Sequence, residues 1–255
     1  MVAAAPSGPS GAGRECTVPP HVDPPPHLQR WGPFLTGAGV AALAFVGLLL
    51  AALVLDALAP PPVEGGAATL EFIAAHQRSY VAEQVLWIAP AILAVLVFVA
   101  LFLALSPTAP GLALTGAVVG GVSYAALLAI PTSSRGALAL VELSRQYTTA
   151  APGDRAAYAI AAEALVAENN TPTIAGVLTT VGVLMVSLAM LRGGLPRALA
   201  WLGIATGVVG VVSELLRYAA PQFYWVYGVL LWAWFVAVGV ALLRLGRRLR
   251  TWPTP

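Results

Sequence analysis

The chain reads as an all-α polytopic membrane protein, a bundle of about six transmembrane helices with short outer interfacial helices. Three observations lead there. Of 255 residues, 59% are hydrophobic and 9% charged, against roughly 25% charged in ordinary soluble domains, so lipid must solvate most of the chain. Its apolar runs are near bilayer length, since roughly 20 residues at about 1.5 Å each cross a hydrocarbon core of about 30 Å. None of them alternates with the period of two that barrel strands need, and backbone polar groups in lipid must be satisfied within the segment, so each run is a helix.

Residues 1–33 hold eight prolines with scattered Gly and Ser, too little apolar surface to offset the entropy of ordering. A disordered, proline-rich cytoplasmic tail is expected there, with Pro24-Pro25-Pro26 locally extended. Cys16 is the single cysteine, so an intrachain disulfide is impossible; no apolar h-region precedes it, and no cleaved signal peptide is expected. The six-helix transmembrane domain is assigned to 34–250, with spans at 34–58, 81–105, 110–130, 172–191, 195–216 and 222–245.

Ser106-Pro107-Thr108-Ala109 and Arg192-Gly193-Gly194 are short enough to fold spans two and three, and spans four and five, into tight antiparallel hairpins. Two longer connections, 59–80 and 131–171, carry helical patterning instead. In the first, Leu70, Ile73, Gln77, Tyr80 and Val81 share a face while Glu71, Arg78 and Glu83 lie elsewhere, which predicts a helix running straight into span two. In the second, Ser134 and Asp154 are N-cap candidates for two helices separated at Ala151-Pro152-Gly153.

Charge sets the expected orientation. With both termini cytoplasmic, the inner pieces carry eight of the 13 arginines and two of the 11 acids, and the outer pieces carry five and nine, as the positive-inside rule requires. Trp31, Trp201 and Trp252 then mark the inner interface; Tyr80, Trp87, Tyr224 and Trp225 mark the outer one. Trp232 and Trp234 fall deeper, as packing residues. A weak parallel repeat is visible: Ile73-Ala74-Ala75 and Ile160-Ala161-Ala162 open the same pattern, each followed by a Gly-x-x-Ser at Gly120 to Ser123 and at Gly210 to Ser213. Gly116 with Gly120 and Gly203 with Gly207 are Gly-x-x-x-Gly pairs that let helix backbones approach closely.

Little in the sequence points to chemistry. A net charge of +2 with no basic face gives nucleic acid no footprint. His-Glu-x-x-His, glycine-rich phosphate loops and Gly-x-Ser-x-Gly elbows are all missing from the sequence, so the motif-bearing hydrolases and nucleotide enzymes lose their support. His21, His27 and His76 lie outside the spans, where they cannot serve as axial ligands to a membrane haem. No cofactor or metal is expected, and the reading leans away from an enzyme.

Ionisable residues in spans are functional hypotheses because burying charge in lipid is costly. The span middles carry none. Asp56 ends span one and Glu214 with Arg217 ends span five, all near the outer interface without need of deep burial; His76 and Arg78 adjoin them in the outer segment. These five form the candidate outer-interface polar cluster. Arg217 should pair with Glu214 one turn away and reach Asp56, Glu71 or Glu83. Thr115, Ser123, Thr179, Thr180, Ser187 and Thr206 are the span hydroxyls that could line a polar pathway.

The stretch Leu195-Pro196-Arg197-Ala198-Leu199-Ala200-Trp201-Leu202-Gly203, followed by Gly207 and Gly210, resembles a family of bacterial six-span membrane proteins classed as a domain of unknown function. The likeness covers 34–245 and leaves the proline-rich start aside. It implies a compact six-helix bundle in the bacterial plasma membrane and supplies no activity, ligand or catalytic residue. Arginine usage without lysine, with alanine and valine crowding the spans, fits a GC-rich bacterial genome.

The expected role is a non-enzymatic accessory, sensory or envelope-associated component whose certain partner is the lipid bilayer, with homo-oligomers or protein partners left open. Two alternatives stand beside it. One is a small-molecule or ion permease acting as an oligomer, which would need a polar midplane path. The other is a membrane enzyme acting on lipid or quinone at the outer interface, which would need the outer charged groups to converge on a pocket.

Overall fold

The computed structural model describes residues 26–62, 65–129, 132–133, 136–169, 171, 173–217, 219–220 and 222–251. A short helix, α1 (Pro26–Gln29), leads into α2 (Gly32–Leu58), α3 (Gly66–Ile88), α4 (Ala91–Leu105) and α5 (Pro110–Ala129). A minimal antiparallel hairpin follows, β1 (Thr132–Ser133) on β2 (Gly136–Ala137), then α6 (Ala139–Thr149), α7 (Arg155–Asn169), α8 (Ile174–Met190), α9 (Arg197–Leu215) and α10 (Phe223–Thr251).

Among the described residues, five helical stretches are long and apolar enough to cross a membrane: α2, the joined α3 and α4, α5, α9 and α10. The shorter apolar α8, 17 residues long, spans about 26 Å and is wedged between α5 and α9. The six form a closed ring in chain order: α2 packs on α4, α4 on α5, α5 on α8, α8 on α9, α9 on α10, and α10 returns to α2. Phe45, Phe98, Tyr124, Trp234 and Phe235 fill its centre in edge-to-face and tilted pairs. Lipid tails are as apolar as leucine, so what holds such a ring is tight packing rather than escape from water. The Gly-x-x-x-Gly pairs serve this packing within the chain. A Cβ at Gly116 would lie 2.8 Å from the Val186 nitrogen, and one at Gly207 would lie 3.0 Å from the Thr180 carbonyl oxygen.

The α2–α10 seam matters most for the site. A Cβ at Gly39 would lie 2.8 Å from the Gly239 carbonyl oxygen, and one at Gly246 would lie 2.7 Å from that of Gly32. These glycines bring the two backbones together near the chain termini, whereas bulky side chains face each other toward the opposite end. At the terminal end the α8–α9 turn also needs glycine, because Gly193 and Gly194 have φ of 124° and 89°, a region other residues enter at a cost.

The opposite end carries a cap with its own core. Leu70, Ile73 and Tyr80 of α3 pack against Ala137, Leu140 and Tyr147 and against Ala162 and Val166 of α7. Three polar ties fix it: the Tyr80 hydroxyl donates to the Ala137 carbonyl (3.2 Å) and accepts from its N–H (3.1 Å), Ser144 Oγ donates to the Leu70 carbonyl (2.6 Å), and the Glu163 carboxylate accepts from the Gly66 N–H that opens α3. That carboxylate meets a helix N-terminus, where donors are unsatisfied and the dipole is positive.

Several expectations shift. Of the tail, residues 1–25 lie outside the described residues, while Pro26–Gln29 are helical and Leu28 is buried. Within span two the helix is interrupted at Ala89-Pro90, where proline removes a backbone donor although both residues keep right-handed helical dihedrals, and α3 has a non-helical His76 (φ −125°, ψ 28°). Gln77 is exposed, while Glu83 and Gln84, expected to be polar-facing or unremarked, are buried one turn beyond Tyr80. Ser134 lies outside the described residues; a hairpin occupies its neighbourhood and the helix begins at Ala139, whereas α7 begins directly after Asp154. Both Gly-x-x-Ser serines bond back to their glycine, Ser123 at 2.7 Å and Ser213 at 3.0 Å.

Candidate functional site

A cavity of about 400 Å³ lies in the cap-side half of the bundle. Phe45, Leu49 and Leu53 line it from α2, spaced at i, i+4 and i+8 as one helical stripe. Trp87, Ile88 and Ala91 line it from the bend between α3 and α4, Tyr124 and Leu127 from α5, and Gly176 and Thr179 from α8. From α10, two adjacent stripes take part: Tyr224, Tyr227, Gly228 and Leu231, and beside them Trp225, Val229 and Trp232. The first stripe faces the bundle, with Tyr227 4% exposed; the second reaches outside, with Val229 60% and Trp225 54% exposed. The cavity wall at α10 is therefore one side chain thick. The glycines that close the α2–α10 seam lie at the terminal end, and toward the cap both helices contribute residues to the pocket lining.

The polar end is built at the junction of α7, α8 and α9. Glu214 is fully buried, and the Arg217 guanidinium bonds its Oε2 at 3.4 Å. Gly176, in the first turn of α8, leaves room for that carboxylate: a Cβ there would overlap Glu214 Oε1. The same turn is capped by Thr173, whose Oγ accepts from the Gly176 N–H at 2.9 Å, so the buried Glu214 carboxyl meets both a cation and a positive helix terminus. Arg217 continues over the Tyr224 ring at 4.5 Å from its centroid, a cation–π contact, and lines the pocket with Glu168 and Thr173. Trp87 is oriented from the α3 side, its Nε1 donating to Glu83 Oε1 at 3.2 Å.

The five residues singled out from the sequence do not form one cluster. Glu214 and Arg217 pair as expected, but among the described residues Arg217 forms no ion pair with Asp56, Glu71 or Glu83. Asp56 is buried on α2 and is not part of the pocket wall. His76 and Arg78 are exposed on the cap; His76 stacks on Phe72 at 4.7 Å and its Nδ1 lies 3.2 Å from the Phe72 carbonyl. Glu214 and Asp56, not expected to need deep burial, are both buried. Of the span hydroxyls, Thr179 alone lines the cavity, its Oγ within 2.9 Å of both Ser123 Oγ and the Ala175 carbonyl. Tyr124, Tyr227, Phe45 and Trp232 went unmarked as site residues; the tyrosine pair Tyr224-x-x-Tyr227 in an otherwise apolar span was the available signal.

Residues 35–246 match the family described as domain of unknown function DUF4386, and the chain belongs to that family. No curated protein and no solved structure matches it.

Proposed function

We propose that this DUF4386 protein is a non-enzymatic binding protein of the bacterial plasma membrane that takes a small amphipathic molecule sideways from the lipid into the pocket between α2 and α10. What carries the reading is the two-ended chemistry of that pocket. Its body is apolar and aromatic, while Arg217, Glu168 and Thr173 gather at the end nearest the cap. Its size falls in the range of about 300–1,000 Å³ typical of small-molecule sites, and unfilled space inside a packed bundle otherwise costs stability. Arg192, Arg197, Arg244, Arg247, Arg248 and Arg250 gather at the terminal end, which supports a cytoplasmic terminal end and an external cap. Because Glu168 ends in α7 and Thr173 starts α8, occupancy of the pocket would bear directly on the cap, as a sensory or envelope-associated role needs.

Gly228 provides the test. It lines the pocket, and a Cβ there meets nothing within 4 Å, so Gly228→Leu fills the cavity while improving helix propensity by up to about 1 kcal/mol. Protein purified from membranes in mild detergent is expected to carry a small amphiphile detectable by native mass spectrometry, and the variant to lose it while staying folded. Equal loads on both proteins, or no bound molecule on either, would overturn the reading.

A further inference from the structure

Two phenols on the wall of the pocket are not accounted for by amphiphile binding alone. Tyr124 of α5 and Tyr227 of α10 are each 4% exposed and both line the cavity. Neither hydroxyl has a hydrogen-bond partner among the described residues, although neither is sealed from accessible space. A phenol donor at a cavity takes its partner from what enters it, so two such donors on one cavity favour a ligand that brings an acceptor.

Neither ring has freedom to look elsewhere. Tyr124 stands edge-on to Phe45 (centroids 5.7 Å apart, 89° between planes) and to Phe235 (6.1 Å, 89°). Tyr227 lies against Gly210, where a Cβ would come within 2.7 Å of its Cε2, and 5.7 Å from the Tyr224 ring. The donors are preorganised, and the walls around them, Phe45, Trp87 and Trp232 among them, are flat aromatic surfaces that favour offset or edge contacts with another ring.

Resting on the pocket reading above, we propose that the ligand is a planar ring bearing carbonyl oxygens, a lipid-soluble quinone in chemical class. One carbonyl accepts from Tyr124 and Tyr227, and the apolar tail leaves between α2 and α10. A carbonyl oxygen has two lone pairs and can take both donors. A fatty acyl chain makes no use of donors at this depth, and its carboxylate would stay near Arg217. The binding is equilibrium association, with no bond made or broken.

Full-length protein in lipid nanodiscs would be titrated by calorimetry with a short-chain naphthoquinone and, separately, with an alkanoic acid of matching length. The quinone is expected to bind saturably and to quench the pocket tryptophans, and Gly228→Leu to abolish both signals. Tyr124→Phe and Tyr227→Phe remove one hydroxyl each without changing ring volume. Each should weaken quinone binding about fivefold and the pair by tenfold or more, while leaving any binding of the acid unchanged. Quinone binding unaffected by both substitutions would overturn the proposal, as would acid binding without quinone binding, although the latter leaves the pocket reading standing. Failure of both ligands to bind would overturn the two together.

Discussion

Removing Arg217 should leave a carboxylate stranded in the protein interior. Glu214 is fully buried, its Oε2 lies 3.4 Å from Arg217 Nη1, and the Arg217 side chain is 10% exposed. At that distance two unit charges attract by about 5 kcal/mol for an effective dielectric constant near 20. Desolvation offsets part of this, and breaking one partner of a buried pair typically costs about 3–5 kcal/mol because the other charge stays behind. The N-terminus of α8 remains beside Glu214 and offers up to ~2 kcal/mol of compensation, so Arg217→Ala should lose about 3 kcal/mol. Glu214→Gln with Arg217→Met removes both charges and should lose clearly less than Arg217→Ala alone. Reversible unfolding in mixed detergent micelles measures both. A loss below about 1 kcal/mol for Arg217→Ala, the range of solvated pairs, would show that water reaches the carboxylate and would refute the sealed polar end.

Three further outcomes test the fold that positions the site. Gly39→Ala should cost about 1–3 kcal/mol through overpacking against the Gly239 carbonyl, whereas Gly37→Ala, with nothing within 4 Å of its Cβ, should be neutral or stabilising by the same unfolding assay. Tyr80→Phe deprives the Ala137 N–H and carbonyl of their shared partner and should loosen the cap by about 1–3 kcal/mol, read as faster hydrogen exchange at β2 and α6. In the cap, bonds first from Arg145 and then from Gln146 hold the Glu142 carboxyl down to about 2 from an ordinary 4.5. A depressed carboxyl contributes stability above its unfolded value and loses it as pH falls through the folded one. The stability difference between wild type and Glu142→Gln should therefore be full above pH 4.5 and vanish toward pH 2.

The spans were legible because length and hydropathy are local properties: α2, α5, α8 and α9 begin and end within two residues of the apolar runs, while α4 begins only after Pro90 and α10 runs on to Thr251. The pairing of Glu214 with Arg217 was legible for the same reason, being a contact within one turn. Depth was not. Counting residues from a helix end takes no account of a second layer of helices folding over it, and the cap depends on Tyr80 bonding Ala137 across 57 positions. The face of α3 carrying Leu70, Ile73 and Tyr80 was legible, whereas Glu83 and Gln84, one turn further on, are polar residues on its buried side. Spacing put Asp56, His76 and Arg78 near the same end of the bundle as Glu214 but gave no direction, and His76 and Arg78 are exposed on the cap. The pocket is lined from α2, α3, α4, α5, α8 and α10 together, an assembly that no one segment reveals. Tyr124 and Tyr227 line one cavity from two helices distant in sequence, which no local pattern marked.

A structure of the full chain in lipid nanodiscs, at a resolution that separates side chains, tests the central claim most directly. An elongated density is expected between Leu53 of α2 and Val229 of α10, in contact with the Tyr124 and Tyr227 hydroxyls and continuing outward to the lipid. Contact of α2 and α10 along their full cap-side length, with no space left between Phe45 and Trp232, would contradict it.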